Sequence, residues 1–146
     1  MPIVALVMST VLALLALLHV YWGAGGVWPG TDSQSLARAV AGFKGSSRTP
    51  SSATCFAVAL ALLIAAVWPV LLSGEFGGLL PDWLVLLGGV GLAALFCGRG
   101  ILGYLPGWRR HTPEMPFARL DRLIYSPLCL VLGIGFLALL FDRMDP

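Results

Sequence analysis

Four long apolar runs, separated by short polar or glycine-rich stretches, dominate the chain: residues 3–22, 53–72, 83–104 and a last run that ends at Phe141. A helix needs about 20 mostly apolar residues to cross the hydrocarbon core of a bilayer. The pattern therefore predicts an all-α membrane protein with four transmembrane helices, over residues 3–22, 53–72, 83–104 and 117–141, in one domain covering residues 1–146. Short connections make the successive helices antiparallel. The first run lacks the positive leading segment of a cleaved signal peptide and exceeds its apolar core of about 7–15 residues. It is read as a helix.

The breaks between the runs add detail. "HVYWGAGGVWPG" ends the first helix, and its Tyr21, Trp22 and Trp28 are amphipathic aromatics expected at headgroup level. In "TDSQSLARAVAGFKG", Thr31, Asp32 or Ser33 can cap a turn that places Leu36, Val40 and Phe43 at helical spacing. That predicts a short interfacial helix in the first cytoplasmic loop, followed by a polar linker, "GSSRTPSS". Ser126 and Pro127 look like a helix start, but residues 127–141 would span only about 22 Å of a core about 30 Å thick. The fourth helix is thus expected to begin near Pro116 or Phe117, with a kink at Pro127 that frees the carbonyl of Leu123. Two small-residue stripes predict close helix approach: Ala57, Ala61 and Ala65, and Gly88, Gly89 and Gly91 with Ala94 and Gly98.

Composition supports the membrane reading. The chain is 58% hydrophobic and 11% charged, against about 45–50% apolar for soluble domains. The formal net charge of +2 matters less than its distribution. Arg38, Lys44, Arg48, Arg99, Arg109, Arg110, Arg119 and Arg122 fall on one side of the expected membrane; Arg143 alone falls on the other, beside Glu75, Asp82, Asp142 and Asp145. By the positive-inside rule the basic loops are cytoplasmic and both termini periplasmic. Trp108, Arg119 and Arg122 join Tyr21, Trp22 and Trp28 as interfacial anchors.

Candidate chemistry is confined to one depth. Arg99 lies about one and a half turns inside the third helix, where an unpaired arginine facing lipid costs roughly 2.5–3.5 kcal/mol or more. Asp121 is the one carboxylate near a membrane helix on that side, so the two are expected to pair. His19 is one turn inside the first helix, and Tyr125 follows Asp121 by four residues on the same face. His19, Arg99, Asp121 and Tyr125 form the candidate polar pocket. The plainer alternatives are interhelical hydrogen bonding for His19, a structural ion pair for Arg99 and belt positions for the aromatics.

Other chemistries fail on their requirements. Two histidines, one in a loop, do not make a bis-histidine haem or a metal cluster, so no cofactor and no metal are expected. Cys55, Cys97 and Cys129 lack CxxC spacing and read as packing residues. Nucleic acid is excluded by the lack of a soluble basic domain. The partners left are the bilayer itself and either a lipid ligand or a partner membrane helix.

"LLHVYWGAGGVWPG", "GRGILGYL" and "PFARLDRLIYSPLCLVLG" resemble the bacterial membrane family Domain of Unknown Function 3995. The resemblance runs the length of the chain and implies a multi-pass, four-helix protein of the inner membrane. It implies no activity. Two readings stay open: a non-catalytic protein binding a lipid or a partner membrane protein, and a small membrane-embedded enzyme acting on a lipid or isoprenoid through the cytoplasmic-side pocket.

Overall fold

The computed structural model describes residues 1–45, 50–75 and 78–145; residues 46–49 of the expected polar linker, Arg48 among them, lie outside the described residues. Every regular element among the described residues is helical. Four helices are long and apolar enough to cross a membrane: Pro2–Gly23, Ser52–Leu72, Asp82–Leu102 and Phe117–Met144.

Helix α1 (Pro2–Gly23) carries proline in its first turn, where the missing N–H has no intrahelical partner to lose. Glycine ends it: Gly25 has φ +98°, the Gly26 N–H returns to the Tyr21 carbonyl at 2.9 Å, and the Trp22 indole N–H closes the turn on the Trp28 carbonyl at 2.7 Å. The expected short helix is α2 (Ser33–Val40). Its capping box is complete: the Asp32 carboxylate accepts the Ser35 N–H at 2.7 Å and the Ser35 hydroxyl accepts the Asp32 N–H at 3.0 Å. Donation from the Ser35 N–H first, and then from its hydroxyl, holds the Asp32 carboxyl below its usual range. Leu36, Ala37 and Ala39 are buried. Phe43 falls beyond the end of α2 and stands edge-on to Trp108, so it is not part of the helix face.

Helix α3 (Ser52–Leu72) is capped by Ser51, whose hydroxyl accepts the Thr54 N–H at 3.2 Å. Helix α4 (Asp82–Leu102) stops two residues short of the expected Tyr104, at the Gly103 cap. Proline then starts α5 (Pro106–His111), a helix too short to leave a periodic signal. The fourth long helix begins as expected with α6 (Phe117–Leu120) and runs through a π-turn (Asp121–Tyr125) into α7 (Ser126–Met144).

The π-turn is the form the expected proline disturbance takes. The Ser126 N–H bonds the Asp121 carbonyl, five residues back instead of four. In that wider register the Arg122 carbonyl would face Pro127, which has no N–H. The Tyr104 hydroxyl donates to it instead, at 3.0 Å. The carbonyl that receives a side-chain donor is therefore that of Arg122, not Leu123.

Packing pairs α1 chiefly with α3, and α4 with α7. The shared core gathers Ala5, Met8, Leu12, Leu72, Val85, Ala93, Phe96, Leu132, Phe136 and Leu139, with the Phe96 and Phe136 rings stacked at 5.9 Å. The small-residue stripes need correction. Ala65, Gly88 and Gly89 pack inward, but Ala57, Ala61, Gly91, Ala94 and Gly98 are exposed, and a Cβ at Gly91 or Gly98 would meet nothing within 4 Å. Close neighbours on another helix stand against Gly88 (Trp68), Gly100 (Leu130), Gly133 (Cys97) and Gly135 (Met8), so within the expected α4 stripe it is Gly88 that admits one.

At the end opposite the basic residues, Arg143 binds α3 and α4 together. Its Nη1 donates to the Leu71 and Leu72 carbonyls at 2.8 and 3.3 Å, and its Nη2 to Asp82 at 2.5 Å. Both carbonyls lie in the last turn of α3, where intrahelical donors run out, although that of Leu71 also accepts the Gly74 N–H at 3.3 Å. Asp82 is 82% exposed and its pairing is worth at most about 1 kcal/mol. Arg143→Gln is expected to lower unfolding stability in detergent by about 1.5–3 kcal/mol, and Asp82→Asn by clearly less. Thermal unfolding of the two variants side by side checks the order.

Candidate functional site

Arg99 of α4 and Asp121 of the π-turn meet inside the protein. Arg99 Nη2 donates to Asp121 Oδ1 at 2.6 Å. Ser126 Oγ donates to the same oxygen at 3.1 Å, and Trp108 Nε1 donates to Asp121 Oδ2 at 3.0 Å. Arg99 Nη1 reaches Ser126 Oγ at 3.4 Å, and the guanidinium carbon lies 5.1 Å from the centre of the Trp108 ring, within cation–π range. The Asp121 side chain is 3% exposed and that of Arg99 29%. Both carboxylate oxygens are thus occupied by donors, and the positive charge is partly shielded by an aromatic face.

Local structure explains why the four residues converge. Gly103 ends α4 directly against the π-turn: a Cβ there would overlap Ser126 Oγ and stand 3.0 Å from Asp121 Oδ2. The helix of Trp108, α5, can fold back because Pro106 starts it just after that glycine. The i→i−5 register places Asp121 and Ser126 five residues apart on one hydrogen-bonded turn, so Ser126 can reach the carboxylate while remaining within the helix.

The other expected pocket residues go elsewhere. The Tyr125 hydroxyl donates to the Ala39 carbonyl at 3.0 Å, fastening α2 to the fourth long helix, and its ring tilts against Phe117 at 5.7 Å. His19 belongs to a separate cavity of about 110 Å³ lined with Trp22, Leu36, Val40, Pro50, Thr54, Cys55 and Val58. Four residues expected in one pocket therefore occupy three places. Trp108, expected as an interfacial anchor, is instead a ligand of Asp121, and Ser126 was legible only as a helix cap. Arg119 and Arg122 are exposed. With Arg109, Met115, Ala118 and Leu123 they line an open groove of about 360 Å³.

Among the described residues no three His, Cys, Asp or Glu side chains gather to hold a metal ion. The three cysteines are free thiols; Cys55 is buried at the His19 cavity and Cys129 packs on the core.

The profile of the family described as Protein of unknown function (DUF3995) matches residues 12–136. The chain belongs to that family. The matched region takes in Arg99, Trp108, Asp121 and Ser126 together with His19 and the arginine groove. No curated protein and no solved structure matches the chain. The DUF3995 assignment and the four long apolar helices together identify an integral membrane protein.

The Asp121 cluster in this DUF3995 chain has the character of a clamp between two helices. Removing one partner of a buried pair costs about 3–5 kcal/mol, because the other charge stays behind uncompensated. Asp121→Asn and Arg99→Gln are each expected to lose stability toward the lower end of that range, since Arg99 keeps some exposure. The double variant is expected to recover much of the loss. A strictly additive double loss, measured by detergent or urea unfolding, would mean that the two side chains do not interact.

Close approach at Gly103 gives a second prediction. Gly103→Ala forces a methyl group into Ser126 and is expected to cost about 1–3 kcal/mol. Gly98→Ala, facing open space within a helix, is expected to be neutral or to stabilise by up to about 1 kcal/mol. Melting temperatures of the two purified variants check the contrast.

Proposed function

We propose that the chain is a multi-pass protein of the bacterial inner membrane, with four antiparallel helices and both termini periplasmic, that binds anionic lipid at its cytoplasmic end. The observation that carries this reading is the groove of Arg109, Arg119 and Arg122. The three arginines come from α5, α6 and the π-turn, and none has an ion pair or side-chain hydrogen bond among the described residues. Three like charges lining one groove repel each other unless anions sit between them. Beside them, Met115 is 58% exposed and Leu123 60%, so the groove offers cations to a headgroup and apolar surface to its acyl chains.

The uneven charge distribution supports the orientation, because basic loops are retained on the cytoplasmic side. That leaflet carries anionic lipid, and each basic residue near its surface contributes about 1 kcal/mol of attraction. The enzymatic alternative is weakened by the geometry of Asp121. Its two oxygens already accept three donors, so it offers no free base to a substrate, and His19 lines a different cavity.

Two measurements test the proposal. Reporter fusions at Gly77 and at the C-terminus are expected to read as periplasmic; a cytoplasmic reading for either overturns the orientation. Native mass spectrometry from nanodiscs mixing phosphatidylglycerol and phosphatidylcholine is expected to retain the anionic lipid. Each arginine-to-glutamine change at 109, 119 or 122 is expected to weaken retention about fivefold, the equivalent of about 1 kcal/mol. Equal retention by the triple variant would contradict lipid binding in the groove.

A further inference from the structure

The His19 cavity lies between α1, α2 and α3, and its lining is unlike that of the arginine groove. Among the described residues its lining holds no charged side chain: Trp22, Leu36, Val40, Pro50, Cys55 and Val58 make it mostly apolar, with His19 and Thr54 the polar members. Most of the polar atoms nearby already have partners. The Trp22 indole N–H is given to the Trp28 carbonyl, the Thr54 hydroxyl lies 2.9 Å from Ser51 Oγ, and the Cys55 thiol points to the Pro50 carbonyl at 3.9 Å.

His19 differs in one respect. Its Nδ1 stands 2.8 Å from the Leu15 carbonyl. A carbonyl only accepts, so the proton is on Nδ1, and in the neutral ring Nε2 carries a lone pair. The Trp22 ring meets the imidazole edge-on at 4.9 Å and helps to hold it. His19 is thus a lining residue whose second ring nitrogen has no partner among the described residues.

We infer that this cavity binds the head of a neutral lipid alcohol, whose hydroxyl donates to His19 Nε2 while its chain passes into the bilayer beside Val58. Charge selects the class: among the described residues no arginine or lysine lines the cavity to hold a phosphate, and no carboxylate to hold an amine. Size fits as well. Apolar cavities of about 150 Å³ accept benzene, so about 110 Å³ takes a hydroxyl and a few carbons, and the remainder of the chain stays in lipid. Val58 is 37% exposed and marks the side open to the acyl chains. The α2 residues Leu36 and Val40 form one wall, and the Tyr125 bond to Ala39 keeps that helix in place.

The test uses the full chain in nanodiscs and tritiated farnesol as the probe. Saturable binding of one molecule per chain is expected, displaced by unlabelled farnesol. Farnesyl methyl ether, which has no hydroxyl to donate, and farnesyl diphosphate, which is charged, are expected to displace it at least fivefold less well, as the loss of one hydrogen bond predicts. His19→Leu is expected to weaken farnesol binding by a similar factor. Val58→Phe, which grows from a lipid-exposed position into the cavity, is expected to abolish it without a change in melting temperature. Non-saturable uptake, or equal competition by the ether, overturns the assignment. So does full binding by Val58→Phe, even if His19→Leu proves too unstable to measure.

Discussion

The pairing of Arg99 with Asp121 is the constraint around which the rest of this molecule is arranged. An arginine well inside a membrane helix needs a partner, and a buried carboxylate needs its oxygens filled. The chain meets both demands in one cluster by bringing Trp108 and Ser126 to the same carboxylate. Three structural features follow from it. Gly103 must lack a side chain so that α4 can end against the π-turn. Pro106 must start a new helix at once so that Trp108 returns. The fourth long helix must widen by one residue so that Asp121 and Ser126 share a turn. The wider turn strands the Arg122 carbonyl, and Tyr104, just past the end of α4, supplies its donor.

Two kinds of surface surround this clamp. The flanks of the long helices expose aliphatic side chains such as Leu6, Leu60, Leu87 and Val131, which are stable only against lipid. The end carrying the basic residues is polar, with Arg109, Arg119 and Arg122 exposed and Arg99 drawn in. Lining the groove and filling the clamp are therefore separate tasks for neighbouring residues in the same short stretch. The His19 cavity stands apart from both, joined to them through α2.

Much of this was legible in the sequence, and physics explains where legibility ended. Run length marked the four long helices within a few residues, because the bilayer sets a length that hydropathy reads directly. The Arg99–Asp121 contact could be argued from depth, since Asp121 is the one carboxylate near a membrane helix on that side, although Arg119 and Arg122 were also within its reach. Composition could not reveal that Trp108 donates to Asp121, because a belt tryptophan and a buried donor look alike until the fold of α5 is known. Nor could spacing separate His19 from Arg99: equal depth does not mean the same side of a helix pair. Alanine and glycine stripes misled for a related reason. A smooth helix face suits a close neighbour or a lipid tail equally well, and Ala57, Ala61, Gly91, Ala94 and Gly98 are exposed.

The claim on which this account rests is a direct contact between two named side chains in the membrane-embedded protein. Solid-state NMR with ¹⁵N-labelled arginine and ¹³C-labelled aspartate, measuring dipolar dephasing between guanidinium nitrogen and carboxylate carbon in lipid, reads that contact directly in the unaltered chain. An Arg99 Nη2–Asp121 Oδ1 separation of 2.6 Å requires strong dephasing of the Asp121 carboxylate signal, identified by its loss in Asp121→Asn. An Asp121 carboxylate that shows no coupling to any arginine would contradict the account.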